Sequence, residues 1–138
     1  MLKCGDAVEM PKPGQAVPHL WIVVTDPLPS SHEAVIVNVT TLRQHSDTTV
    51  VLKPGDHPYI RHDSVIFYAD ARLADVRNIQ AGIDKGWFQE CDACSPALLK
   101  LTQEGLLASK FTPNEIKDFC RARWQSPAAG PAAPPTTV

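Results

Sequence analysis

Five short runs of β-branched and apolar residues fill the first half of the chain, and they restrict the fold more than any other feature. The runs cover residues 3–10, 19–25, 34–40, 49–52 and 64–68. No helical pattern separates them, whereas two neighbouring parallel strands need a crossover of about a dozen or more residues. The sequence therefore predicts a mainly β protein built on a small antiparallel barrel or a strongly curved sheet.

The pattern changes after Asp75, where apolar residues begin to recur at helical spacing. Ser95 followed by Pro96 is typical of an N-cap with proline at the first helical position. Thr112 and Glu115 have the spacing of a capping box. We therefore expect two or three C-terminal α-helices that cap the barrel. The predicted organisation is a barrel over residues 1–75, a helical part packed on it over 76–125, and a disordered Ala/Pro-rich tail over 126–138.

Charge and composition argue against several classes of protein. The 138 residues carry a formal net charge of -2, which does not suit a broad basic face for duplex nucleic acid. No stretch reaches the about 20 apolar residues of a transmembrane helix, and residues 1–10 lack the features of a signal peptide. We expect a cytoplasmic protein whose four cysteines are reduced thiols.

The loop between the fourth and fifth runs, together with the first residue of the fifth run, contains the densest group of residues that can act on a phosphodiester. These residues are His57, Arg61, His62 and Ser64. Histidine can transfer a proton, and arginine can hold a phosphate and stabilise charge in a transition state. RNA needs no metal for cleavage by such groups, because its own 2′-hydroxyl is the nucleophile. The same residues also fit a solvated surface hairpin in which Arg61 pairs with Asp56 or Asp63.

Further polar candidates lie at the ends of the runs and in the later part of the chain. His19 begins the second run, and Thr40 and Thr41 close the third. Threonine at such a position often makes only turn hydrogen bonds. Cys91 and Cys94 have the spacing of half a zinc site. The sequence has no second pair of this kind, so we interpret them as structural thiols and predict no metal site, with a zinc-stabilised module as the alternative.

The order of these pieces matches a known pattern. Gly5 and Asp6 open the first strand, HLWIVVT forms the second, and VIVNVTTL ends the third in threonines. The chain then passes through Ser64 to a D-A-R-L segment that contains Asp70 and Arg72. This order, over residues 4–76, resembles the MazF/PemK-like toxins, a family of small SH3-like barrels.

The resemblance implies a metal-independent endoribonuclease toxin with no cofactor, single-stranded RNA as substrate, an antitoxin-like partner and a homodimer. The usual Arg-Pro before the second strand is replaced here by Pro18 and His19. We therefore expect Arg61 to stabilise the transition state, with His57 or His62 as acid or base. The substrate-binding residues that the resemblance implies are His19, Thr40, Thr41, Ser64, Asp70 and Arg72.

A second hypothesis is a non-catalytic β-barrel that binds a protein or a nucleic acid, with its helical part as the partner surface. The near-neutral net charge favours this hypothesis, as does the missing family arginine. The two hypotheses differ in whether histidine, arginine and hydroxyl side chains from separate turns meet in one pocket.

Overall fold

The structure is a computed structural model that describes residues 1–125. Six strands form one sheet in the order β4-β5-β3-β2-β1-β6, and all neighbours are antiparallel. The strands are β1 (Ala7–Pro11), β2 (Pro18–Val23), β3 (Glu33–Thr41), β4 (Val51–Leu52), β5 (Ser64–Asp75) and β6 (Gln89–Cys91). The helices are α1 (Val76–Asp84), α2 (Pro96–Ala108) and α3 (Asn114–Trp124). The predicted antiparallel sheet with C-terminal helices is confirmed.

The pairing within residues 1–125 leaves the sheet open, with β4 at one edge and β6 at the other. The expected closed barrel is therefore not seen in the strand order. The edge strand β6 lies between α1 and α2 in the chain and pairs with β1, with Cys91 opposite Ala7. Its sequence, Gln-Glu-Cys, has no β-branched residue and gave no strand signal. The predicted tail, 126–138, lies outside the described residues.

The long strand β5 determines where the polar residues of the sheet lie. It extends well past the predicted end at Tyr68 and pairs with β3 from Thr41 opposite Ser64 to Glu33 opposite Asp75. The register shifts between Ile36 and Asn38, where β5 has more residues than β3. Such a bulge bends a strand and re-aims its side chains.

The two faces of the sheet carry different cores. One face packs against α2 and α3, and its buried residues include Leu20, Ile22 and Val37 with Leu106 and Ile116. The other face packs against α1, which contributes Val76 and Ile79 to a smaller cluster. This second face is only partly covered, and it also carries polar and charged side chains. No helix within residues 1–125 has the length and apolar composition needed to cross a membrane.

The helix ends confirm one cap prediction and contradict another. The Ser95 side chain accepts a hydrogen bond from the Leu98 N–H, so the predicted N-cap of α2 is confirmed. The predicted capping box at Thr112 is wrong, because the N-cap of α3 is Pro113 and no side chain caps it. The Thr112 hydroxyl instead donates to the Leu106 carbonyl at 2.7 Å and ties the end of α2 to the start of α3.

Candidate functional site

One pocket of about 250 Å³ lies where β2 begins, β3 ends and β5 begins. Antiparallel pairing brings these ends together, since Thr41 lies opposite Ser64 and β2 runs beside β3. Six of the predicted site residues line it. They are His19, Thr40, Thr41, Arg61, His62 and Ser64. We call this cavity the His19–Arg61 pocket.

Hydrogen bonds fix the loop that carries Arg61 and His62 against the end of β3. The His62 Nε2 and the Thr41 hydroxyl are 3.0 Å apart, and the tautomer of the ring decides which one donates. The Ser64 hydroxyl donates to the His62 carbonyl at 2.8 Å, and the Leu42 N–H donates to the Asp63 carbonyl at 3.1 Å. Two of the predicted hydroxyl residues thus position the loop.

The ring of His19 has one nitrogen committed to the backbone. Its Nδ1 lies 3.2 Å from the Val39 carbonyl oxygen, which can only accept, so Nδ1 carries the proton. In the neutral ring the lone pair is then on Nε2. The side chain is half-buried and lines the pocket. This arrangement provides a proton acceptor whose orientation is fixed by β3.

The guanidinium of Arg61 is exposed at the same pocket. The two acids that the hairpin interpretation paired with it have other partners. The Asp63 carboxylate pairs with the Lys53 ammonium at 2.9 Å, and the Asp56 carboxylate accepts from the Lys53 N–H at 2.7 Å. Arg61 is therefore available to an anionic ligand in the pocket.

His57 lies outside the pocket, although it shares the loop with Arg61. It is only 2% exposed. Its Nδ1 accepts from the Tyr59 N–H at 3.0 Å, so Nε2 carries the proton and donates to the Asp92 carbonyl at 2.6 Å. Both ring nitrogens thus bind the backbone, and the ring connects the loop to the segment after β6.

Asp70 and Arg72 also lie away from the pocket, on the partly covered face of the sheet. The Asp70 carboxylate binds the Lys12 ammonium at 2.6 Å, the Arg72 guanidinium at 3.1 Å and the Asn38 amide at 3.2 Å. Burial raises the pKa of Asp70, but Lys12, Asn38 and Arg72 outweigh it and the pKa is lowered. The Arg72 guanidinium lies over the Trp21 ring. These residues form an ion-pair network that holds the β1–β2 loop, which contains Lys12, on the sheet.

The sequence reasoning missed Tyr59, which also lines the His19–Arg61 pocket. Its hydroxyl donates to the Glu9 carboxylate at 3.0 Å. Burial, together with this bond and the charge of Glu9, raises the pKa of Tyr59 to about 12. The available signal was its position between His57 and Arg61 in the loop.

One further concave region adjoins this site, and another lies beside the Trp87 side chain. The β3–β4 pocket, of about 470 Å³, shares Thr40 and Thr41 with the His19–Arg61 pocket. Its other polar and aromatic lining residues include Lys12, Arg43, His45, Asp47 and Phe67. The Trp87 groove, of about 420 Å³, is mainly apolar, and its lining residues include Met10, Trp21, Ile79, Trp87 and Phe88. Trp87 is 69% exposed.

No cluster of three or more metal-ligating side chains occurs within residues 1–125. Cys91 belongs to β6, and the Cys94 N–H donates to the Gly5 carbonyl at 2.8 Å. Burial raises the pKa of Cys94 to about 11, with smaller contributions from Cys4 and Asp6. Burial also raises the pKa of Cys91. Neither thiol belongs to a group of three possible metal ligands among residues 1–125.

The His19–Arg61 pocket therefore combines a fixed proton acceptor, an exposed guanidinium, a second imidazole and hydroxyl groups. Such a set can bind a phosphodiester and transfer protons to and from its oxygens. No model of a known protein family matches this chain, and no curated protein matches its sequence. The resemblance to the MazF/PemK-like toxins thus stays a prediction.

Proposed function

We propose that this protein is a metal-independent endoribonuclease that cleaves single-stranded RNA in the His19–Arg61 pocket. The observation that carries the proposal is the convergence of imidazole, guanidinium and hydroxyl side chains from three separate segments on one pocket. The near-neutral net charge suits a small local site for a single strand better than a broad duplex-binding face.

The proposed reaction is an internal transesterification. The 2′-hydroxyl of the substrate attacks the adjacent phosphorus and gives its proton to the His19 Nε2, while the bond from phosphorus to the 5′-oxygen breaks. The His62 imidazolium donates a proton to that leaving oxygen. The products are a 2′,3′-cyclic phosphate and a 5′-hydroxyl. Arg61 stabilises the negative charge of the pentacoordinate phosphorus, which is the role that a guanidinium performs well.

The remaining predicted residues have supporting roles in this proposal. Thr41 and Ser64 hold His62 in place through their hydrogen bonds. Thr40 lines the pocket and carries the hydroxyl that we assign to substrate binding. His57, Asp70 and Arg72 receive no direct role, because their polar atoms are engaged elsewhere.

We also propose that the sheet is an open variant of the SH3-like barrel of the MazF/PemK-like toxins. The support is the succession of the first five strands and the position of the threonine-rich end of β3 beside Ser64. Under this proposal the protein acts as a toxin, with an antitoxin-like partner and a homodimeric assembly.

The direct test is incubation of the purified protein with a long single-stranded RNA in EDTA. We expect fragments that end in 2′,3′-cyclic phosphate, whereas the same RNA with 2′-O-methyl riboses should remain intact. An Arg61→Ala preparation serves as the control for contaminating ribonuclease. Absence of cleavage, together with normal growth of cells that express the protein, would contradict the proposal.

A second candidate function, protein binding without catalysis, is favoured by the Trp87 groove. Trp87 is the most exposed of the large aromatic side chains in the described residues, and the groove beside it is mainly apolar. A second copy of the chain is the partner to test first. Analytical ultracentrifugation should then detect a dimer that Trp87→Ala weakens. Because the first proposal also includes a homodimer, only a Trp87-dependent dimer that cleaves no RNA supports this candidate, and a monomeric wild-type protein that cleaves RNA excludes it.

A further inference from the structure

We propose that the β3–β4 pocket binds the nucleotide next to the cleaved phosphodiester, with Phe67 as the aromatic contact for its base and Arg43 as a phosphate contact. This inference rests on the proposed function for the choice of RNA as the ligand. Phe67 and Arg43 are not among the predicted site residues. Both line the β3–β4 pocket and neither lines the His19–Arg61 pocket, so the inference extends the site.

The two pockets form one continuous surface. Thr40 and Thr41 line both of them, and Val65 of the β3–β4 pocket follows Ser64 of the His19–Arg61 pocket in β5. A strand of RNA whose phosphate lies at Arg61 would cross these threonines and enter the β3–β4 pocket. No rearrangement of the sheet is needed, because the threonines are part of its end.

Phe67 has the placement that a base contact requires. Val65 lies opposite Thr40 and Phe67 opposite Asn38, so their side chains share the partly covered face of the sheet. The Lys12 ammonium lies over the Phe67 ring, 4.7 Å from its centre, so a base that contacts Phe67 would also lie beside this cation. Aromatic side chains on a sheet, combined with basic groups that follow the backbone, are the recurring design for sequence-tolerant binding of single strands.

The turn that carries Arg43 is closed by its own hydrogen bonds. The Arg43 N–H donates to the Ser46 hydroxyl at 2.8 Å, and the Ser46 N–H donates to the Arg43 carbonyl at 3.2 Å. The side chains of Arg43 and His45 are exposed on this turn. A rigid turn that presents basic side chains loses little conformational freedom when it binds a phosphate.

The one acid of the pocket is anchored to the protein. The Asp47 carboxylate accepts hydrogen bonds from the Thr49 hydroxyl at 2.6 Å and from the Ser109 hydroxyl at 2.7 Å. Its residue is buried, and Lys110 lies close enough to help stabilise its charge. The pocket therefore offers the exposed Arg43, a Lys12 that also pairs with Asp70, and an aromatic ring to an anionic ligand that also carries flat bases. An acidic peptide would use only the cations.

The test is the binding of a fluorescent RNA hexamer with 2′-O-methyl riboses, which cannot be cleaved by its own 2′-hydroxyl. Fluorescence anisotropy is measured at several salt concentrations for wild type, Phe67→Leu and Arg43→Gln. Arg121→Gln is the matched control, because Arg121 is an exposed arginine on α3 at the opposite face.

We expect Phe67→Leu to weaken binding about tenfold. Arg43→Gln should weaken it and reduce the slope of log K against log salt by about 0.7. The control should change little.

The outcomes separate this inference from the proposed function. Hexamer binding with the expected losses supports the inference even if wild type cleaves no RNA, in which case only the catalytic proposal fails. Cleavage of RNA with unchanged hexamer binding by both variants would overturn the inference and leave the catalytic proposal standing. Equal binding of a poly-glutamate peptide of the same charge would also overturn it, since such a ligand has no base for Phe67.

Discussion

His19 and His57 lie in two regions that use the same side chain in opposite ways. At the start of β2, His19 binds the backbone through one ring nitrogen and lines the His19–Arg61 pocket. In the central loop, His57 is buried and binds the backbone through both nitrogens. His57 lies in the same loop as Arg61 and His62, whereas His19 is distant from them in the sequence.

The partners of a histidine, rather than its sequence neighbours, decide whether its ring can accept or donate a proton. Protonation of His57 would add a hydrogen where its Nδ1 accepts from the Tyr59 N–H, and this hydrogen bond would be lost. The His19 ring keeps a nitrogen that no described backbone group uses. We therefore predict that His19 affects the proposed RNA cleavage and that His57 affects stability.

The largest effect is expected for His19→Ala. Loss of a general base typically reduces a rate by about 10²–10⁴-fold. We therefore expect the rate of RNA cleavage by His19→Ala to be lower than that of wild type by such a factor. Stability should fall by about 1 kcal/mol, because one hydrogen bond to the Val39 carbonyl is lost. Single-turnover cleavage and urea unfolding measure the two quantities. A fully active His19→Ala protein would contradict the assignment of His19 as the general base.

Arg61→Ala should have the next largest effect, a loss of about 10²–10³-fold in cleavage rate. The side chain is exposed and its acidic neighbours pair with Lys53, so stability should stay within about 0.5 kcal/mol of wild type. Arg61→Lys tests the need for the bidentate guanidinium and should recover only part of the rate. A large loss of stability in Arg61→Ala would show that Arg61 has a structural role.

His57→Ala should have the opposite effect, a clear loss of stability and no direct loss of a catalytic group. The Tyr59 N–H and the Asp92 carbonyl would lose their partner, and we expect a loss of about 2 kcal/mol in the free energy of unfolding. His57→Gln can donate and accept through one amide and should recover part of this loss. The three tryptophans report unfolding in urea. A stable but inactive His57→Ala protein would contradict the assignment of His57 as an anchor.

Much of the fold could be predicted because its signals are local. The runs at residues 19–25 and 34–40 became β2 and β3, and the Ser95-Pro96 signal marks the start of α2. The strand β6 could not be predicted, because its pairing with β1 depends on tertiary position rather than on the residues Gln89–Cys91. The closed barrel was expected from five short strands without intervening helices and from the resemblance to SH3-like barrels, and neither determines how the edges of the sheet lie.

The candidate site was predictable as a set of residue types but not as an arrangement. Six of the nine predicted residues line one pocket, because antiparallel pairing brings Thr41 beside Ser64. His57 looked equivalent to His62, and only the backbone groups around each ring distinguish them. Asp70 lies in the bulge of β5 and pairs with Lys12 of the β1–β2 loop, which no sequence pattern signals. Contacts between distant segments decide such details.

Tyr59 lies between the buried His57 and the exposed Arg61 in the loop. Its substitution by Phe should have the smallest effect of the four variants. Its N–H binds His57, its ring lines the pocket and its hydroxyl donates to Glu9. Tyr59→Phe removes only the last contact, so we expect a loss of about 1 kcal/mol in stability at pH 7.

The contribution of the Tyr59–Glu9 hydrogen bond to stability depends on pH. Burial and Glu9 raise the pKa of Tyr59 to about 12, whereas an unfolded tyrosine titrates near about 10. Between these values the native state binds more protons than the unfolded state, so the stability that this contact contributes is lost as the pH rises. The difference between wild type and Tyr59→Phe in urea unfolding should therefore shrink above about pH 10. A constant difference up to pH 11 would mean that the bond to Glu9 does not hold the loop, and that His57 alone anchors it.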